Sequence, residues 1–304
     1  MPRCVCKSWN AALKNPNFYK ERKRLNISEQ RVCMLQEIDG ICNRVGVYDL
    51  EKNSCKILPP IPTEYNSIFH CHFVKQKLVL ISVLLADSTK NCVWLYDFAC
   101  SKWRQGAKMP RWQNAFVSAA DEDWGLIYVC GGHDRIIHVR SASVYIVEED
   151  KWDVLPDMNT YMEPYNIGLF AEGKFYVMGY SNRIEVFDSY TRSWKTMENR
   201  FNSWRYVSAF GRFYCLSGRG LIEYDYSQDK LHFLGSLPTE DWARFINFAV
   251  VVGNKIFVCR EMVQVQELCM LEPPSEKGET FKLIGIETPL DLQGFAIHAA
   301  TLHL

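Results

Sequence analysis

An aromatic residue followed seven positions later by a tryptophan, or by a residue in its place, recurs through this chain. The pairs are Tyr48/Cys55, Tyr96/Trp103, Tyr145/Trp152, Phe187/Trp194 and Tyr224/Leu231, in segments such as LYDFACSKW, VYIVEEDKW and VFDSYTRSW. Six residues beyond the Trp position stand Ile61, Met109, Met158, Arg200 and Leu237, with units spaced 37 to 49 residues apart. Between these segments lies a second series: QKLVLIS, GLIYVCGG, GKFYVMGY, GRFYCLSG and NKIFVCRE. Each follows a tight turn and an earlier apolar stretch, and Gly173 and Gly253 suit positive φ in such turns. The repeat therefore predicts four strands per unit. One such sheet cannot cover both its faces, so several must close into a ring, the logic of a β-propeller.

Counting the units tests this. Strand groups fall at 31–58, 71–106, 114–155, 166–197, 205–234 and 246–285. The first group holds only RVCML, RVGVYD and CKILP, while GFAIHAATLHL at the C-terminus is a β-prone segment without a unit. Each defect accounts for the other. The expectation is an all-β, six-bladed β-propeller closed by residues 295–303 as the inner strand of the first blade. Trp103, Trp152 and Trp194 are expected to be largely buried between blades.

Composition narrows the function. Lys+Arg and Asp+Glu both number 35, so the formal charge is zero and no broad electrostatic footprint for nucleic acid is expected. No run of 18 apolar residues and no apolar signal core is present, so no membrane association is expected, and the chain reads as cytoplasmic and/or nuclear. Twelve cysteines are scattered, many in apolar runs, and read as buried reduced thiols. The pair Cys4/Cys6 and the triplet His70, Cys71, His72 lack a second matching pair, so neither a metal nor another cofactor is expected. No P-loop, Gly-x-Ser-x-Gly or His-Glu-x-x-His motif occurs. His133 and Asp134 are adjacent on a loop, where neighbours rarely face one site. No catalytic residue is assigned, and the chain reads as non-enzymatic.

The segment IYVCGGHD followed by ASVYIVEEDKWDVLPDM resembles a kelch repeat: a double Gly after the second strand, a Tyr in the third and a Trp in the fourth. Gly131-Gly132 is intact, whereas Ser82-Val83, Gly179-Tyr180, Ser217-Gly218 and Arg260-Glu261 stand at the corresponding positions. The opening stretch MPRCVCKSWNAALKNPNFYKERKRLN differs in kind. Val5, Trp9, Ala12 and Leu13 recur at helical spacing, and Asn15-Pro16 reads as a cap before a second short helix. Arg3, Val5, Cys6, Lys7, Trp9, Leu13, Pro16 and Phe18 match the C-terminal part of an F-box. Together the two features resemble the plant F-box/kelch-repeat proteins, most closely the subgroup linked to turnover of phenylalanine ammonia-lyase. The organisation expected is a partial F-box over 1–26, an α-helical remnant, and a kelch-repeat propeller over 27–304. The resemblance implies a substrate-recognition adaptor of a Skp1-cullin-F-box ubiquitin ligase. Val5, Cys6, Trp9, Leu13 and Phe18 would then touch a Skp1-type linker. The propeller would hold the protein to be degraded, whether phenylalanine ammonia-lyase or another regulatory protein. Family F-boxes carry about 25 further residues upstream. The chain as given is therefore expected to bind the linker weakly, or to act as a kelch scaffold without ligase coupling.

Propellers bind through loops that their strands hold rigid. The loops joining fourth to first strands and second to third strands open on one face. They carry Arg111, Trp112, Tyr161, Tyr165, Trp204, Arg205, Trp242 and Arg244, with His133, Asp134 and Arg135 after the double Gly. Trp, Tyr and Arg are the residues enriched as interface anchors, so these are the expected substrate-binding residues. About half of the aromatics would instead pack between blades.

Overall fold

The computed structural model describes residues 21, 25, 30–38, 41–62, 67–84, 92–98, 100–111, 113, 115–134, 137–161, 167–178, 183–198, 205–209, 212–217, 220–225, 230–237, 246–252, 255–262, 265–272, 282–286 and 295–303. The opening stretch expected to be helical lies outside them except at Glu21 and Leu25, where the Leu25 N–H donates to the Glu21 carbonyl at 2.9 Å.

The short β-branched and aromatic runs form six antiparallel four-stranded sheets. Blade 1 orders β26 (Phe295–His303), β1 (Gln30–Ile38), β2 (Ile41–Asp49) and β3 (Ser54–Ile57). Blade 2 is β4 (Ser67–Val74), β5 (Lys77–Leu84), β6 (Val93–Asp97) and β7 (Lys102–Gln105). Blade 3 is β8 (Val117–Asp121), β9 (Leu126–Cys130), β12 (Ala142–Ile146) and β13 (Lys151–Leu155). A two-stranded hairpin, β10 (His133–Asp134) and β11 (Ile137–His138), is inserted between its second and third strands. Blade 4 is β14 (Ile167–Ala171), β15 (Lys174–Met178), β16 (Arg183–Asp188) and β17 (Ser193–Glu198). Blade 5 is β18 (Arg205–Ala209), β19 (Arg212–Ser217), β20 (Gly220–Asp225) and β21 (Lys230–Gly235). Blade 6 is β22 (Ile246–Val252), β23 (Lys255–Met262), β24 (Val265–Glu272) and β25 (Lys282–Ile286).

The inner strands β26, β4, β8, β14, β18 and β22 adjoin one another in a closed cycle, so the sheets form a six-bladed propeller. Ring closure by the C-terminal strand is as the sequence predicts. β26 pairs with β1 from Gln30↔His303 to Glu37↔Phe295. The core is correspondingly divided, with six apolar clusters each lying between two consecutive blades. This explains the strand compositions. Middle strands are covered on both faces and read as unbroken apolar runs; Ile127, Tyr128, Val129 and Cys130 are all buried. Outer strands such as β7, sequence KWRQ, keep their charged residues exposed, which blunts an open sheet edge.

The seven-residue spacing has a simple geometric meaning. Tyr48↔Cys55, Tyr96↔Trp103, Tyr145↔Trp152, Phe187↔Trp194 and Tyr224↔Leu231 are all directly opposed cross-strand pairs. The turn between the paired strands is also repeated. Asn53, Ser101, Asp150 and Arg192 each take positive φ two residues before the Trp position. Left-handed backbone costs a non-Gly residue about 1 kcal/mol, and the Asp that ends the third strand offsets it. Asp49, Asp97 and Asp188 accept backbone N–H groups two or three residues on, an Asx-type closure of the turn.

The tryptophans differ from expectation. The first aromatic of each pair is the buried one: Tyr48 and Tyr145 are 0% exposed and Phe187 is 1%. Trp103, Trp152 and Trp194 are only partly buried, packed on the rims of the interblade clusters. The indole N–H explains the difference, because a polar group under the apolar core needs a partner. Each finds one at the surface of the preceding blade: the Pro59 carbonyl at 2.8 Å, Ala107 at 3.0 Å and Pro156 at 2.8 Å. The three acceptors all lie four residues beyond the Trp position of the previous unit. The tryptophan thus fastens one blade to the next.

Of the nine cysteines whose side chains are described, seven are buried, Cys92 is half-buried and Cys100 exposed, and none is in a disulfide. No helix among the described residues is long and apolar enough to cross a membrane.

Candidate functional site

The double Gly turns the chain out of blade 3. Gly131 and Gly132 take φ of 66° and 91° in succession, a left-handed pair that a side chain would strain. The Gly131 N–H donates to the Ser141 carbonyl at 3.0 Å and the Val139 N–H to the Gly132 carbonyl at 2.9 Å. Together they pin the base of the β10–β11 hairpin. His133 and His138 stand opposite each other on it, their ring centroids 4.1 Å apart, and Ile137 at its tip is 71% exposed.

Two neighbouring loops meet this hairpin. From the connection between blades 2 and 3, buried Gln113 donates through Nε2 to the Ser141 carbonyl at 3.2 Å and contacts the Ser141 hydroxyl. From the connection between blades 3 and 4, the Met158 N–H donates to the Arg140 carbonyl at 2.9 Å. Met158 is itself 1% exposed, so the loop hangs from a core anchor. Glu185 of blade 4 supports it from below, accepting from the Asn159 N–H at 3.1 Å, the Thr160 hydroxyl at 3.1 Å and the Thr196 hydroxyl at 2.6 Å.

These tethers shape an open cleft of about 530 Å³ lined by Arg111, His138, Val139, Arg140, Ser141, Asp157 and Tyr161. The Arg140 guanidinium lies 5.4 Å from the Tyr161 ring centroid, and its Nη1 donates to the Asn159 carbonyl at 3.3 Å. Arg111 faces Asp157 at 3.7 Å, beyond hydrogen-bond length. Behind the cleft, burial pushes the Cys130 thiol well up, and the nearby Glu185 carboxylate adds to the shift. That sulfur stays protonated and unreactive. Among the described residues no group of three or more His, Cys, Asp or Glu is placed to hold a metal ion.

Of the residues singled out in the sequence, Arg111 and Tyr161 line the cleft and His133 stands beside it on the hairpin. The Asp134 backbone belongs to the same hairpin and Arg205 begins β18. Trp112, Arg135, Tyr165, Trp204, Trp242 and Arg244 lie outside the described residues, as do Val5, Cys6, Trp9, Leu13 and Phe18. Sequence reading missed Arg140, His138 and Asp157. His138 and Arg140 occupy the return limb of the loop whose outgoing limb was recognised, and a hairpin reading of GGHDRIIHVRS would have found them.

The fold and its site define a β-propeller carrying a kelch motif: the kelch motif model matches residues 125–159, the double Gly, hairpin and Trp strand of blade 3. Curated relatives extend the likeness beyond that blade. The chain is 28% identical over 273 residues to F-box/kelch-repeat protein At1g15670 of Arabidopsis thaliana, covering 78% of this chain and 75% of that protein. It is 28% identical over 222 residues to At1g80440 of the same plant, covering 65% and 62%, and 27% identical over 252 residues to At2g44130, covering 67% and 60%. The chain is thus homologous to F-box/kelch-repeat proteins and spans 60–75% of the length of these three.

Proposed function

We propose that this protein is a non-catalytic substrate adaptor whose propeller holds a protein for a Skp1-cullin-F-box ubiquitin ligase. The observation that carries the reading is the blade 3 cleft. It is built from two inter-blade loops and one hairpin, all fastened to buried anchors, and presents arginine and tyrosine at its surface. Such residues on a rigid frame are what protein interfaces use as anchors. The ligase context is what the resemblance to F-box/kelch-repeat proteins implies. Arg111, His133 and Tyr161 are the first residues to test as substrate contacts. Trp112, Asp134, Arg135, Tyr165, Trp204, Arg205, Trp242 and Arg244 are further candidates. Val5, Cys6, Trp9, Leu13 and Phe18 are the candidates for the linker contact. Phenylalanine ammonia-lyase, implied by the resemblance, is the first partner to try.

Titration of a purified Skp1-type linker tests the ligase half. Residues 1–304 and the same residues extended by an upstream F-box segment are compared. The extended form is expected to bind, and Trp9→Ala within it to abolish binding. If the extended form does not bind, the adaptor reading fails and a protein-binding scaffold without ligase coupling replaces it.

A further inference from the structure

The charges around the blade 3 cleft are unequal. Among the described residues that line it, two guanidinium groups, Arg111 and Arg140, stand against one carboxylate, Asp157, and the imidazoles of His133 and His138 stand alongside. We infer that this cleft receives an acidic peptide segment of the partner, whose Asp or Glu carboxylates are read by Arg140 and Arg111. The inference rests on the protein-binding reading above and adds the chemical class of what is bound.

Arg140 is the better prepared of the two. The Tyr161 ring backs its guanidinium and the Asn159 carbonyl holds Nη1. Its own backbone carbonyl is fixed by Met158. A guanidinium carries five N–H donors in a planar fork, and this arrangement leaves donors for an incoming carboxylate, the acceptor that fits the fork in a bidentate way. Because the plane is set before binding, less side-chain entropy remains to be lost. Arg111 is only loosely engaged by Asp157, so its donors also remain available to a ligand.

Charge complementarity excludes the alternatives. A basic segment would meet two guanidinium groups and find one carboxylate that already faces Arg111. A nucleic acid would meet Asp157 inside the cleft and a chain with no net charge. The surroundings favour a peptide over a small anion: Tyr161, which lines the cleft, and Ile137, on the adjoining hairpin, are 61% and 71% exposed. An apolar side chain next to the acidic one would cover them.

The test is an array of acetylated hexapeptides, with each position varied through all residues and through phosphoserine, probed with the purified protein. Best binders are then titrated by fluorescence anisotropy against the wild type, Arg140→Glu, Arg111→Glu and Asp157→Asn. The expected result is enrichment of Asp and Glu. Arg140→Glu should weaken binding by about tenfold or more, and Asp157→Asn, which removes the competing carboxylate, should strengthen it by about threefold. Thermal melts of each variant establish that it folds, and Asp157→Asn keeps the test decisive if an arginine variant does not. Enrichment of neutral or basic peptides, the absence of any enriched class, or weaker binding by Asp157→Asn overturns the inference. A large preference for phosphoserine over Asp and Glu overturns the carboxylate assignment. The linker titration is independent of all these outcomes, so the peptide class can fail while the adaptor reading stands.

Discussion

The Trp152 indole N–H donates across a blade boundary to the Ala107 carbonyl at 3.0 Å. Trp103 and Trp194 repeat the bond on Pro59 and Pro156. The residue that marks the repeat in the sequence therefore couples one blade to the connection leaving the previous one. Its ring covers the rim of an interblade cluster while its N–H fixes where the next blade begins.

Trp152→Phe should keep much of the ring packing and lose the bond, lowering stability by about 1 kcal/mol. Trp152→Ala also leaves a partly exposed gap and should cost about 2–3 kcal/mol, less than a fully buried Trp. Urea unfolding of the three proteins measures both. Equal midpoints for the wild type and Trp152→Ala would show that the blades do not depend on this contact.

Removing residues 295–303 should open the ring. β1 would lose its inner partner from Gln30 to Glu37, and buried Leu302 and Ala299 would leave two interblade clusters. An open apolar edge pairs with other chains, so size-exclusion chromatography should show aggregates. A monomeric deletion variant that unfolds cooperatively would contradict this closure.

Glu185→Leu should loosen the loop that carries Tyr161. Two donors of that loop, the Asn159 N–H and the Thr160 hydroxyl, lose their acceptor. Exchange at the Asn159 amide should speed up by about tenfold or more while the strands of blade 3 change little. Unchanged exchange at Asn159 would mean that Glu185 does not support the site.

Acid should weaken the contact between blades 2 and 3. Burial alone would push the Asp150 carboxyl up. Hydrogen bonds from the Tyr145 hydroxyl, the Ala107 N–H and Arg104 overcome this and hold it below its ordinary range. The Ala107 bond is 2.7 Å and the Arg104 pair 2.6 Å. A carboxyl depressed in the folded state contributes stability above its unfolded pKa and loses it as pH falls through the folded value. The loss should therefore appear below about pH 4. Asp150→Asn should flatten the fall of Tm in that range relative to the wild type. Parallel curves for the two proteins would remove Asp150 from the acid response.

The blade count, the closing strand and the cross-strand partner of every repeat aromatic were legible in the chain. They follow from local periodicity: alternation sets strands, a fixed turn sets the seven-residue pairing, and a fold of identical units repeats whatever one unit does. Burial of the tryptophans was not legible. Residue type predicts an apolar interior position, but the N–H had to reach a carbonyl of another blade, and only the packing angle between blades decides that. The cleft divides the same way. Arg111, His133 and Tyr161 could be placed on one face because loop order follows strand order. Arg140 and Asp157 became part of the site through Gln113–Ser141, Met158–Arg140 and Glu185–Asn159, contacts between loops from different blades. Sequence spacing carries no record of those contacts, since the residues come from separate units and meet only when the ring has closed.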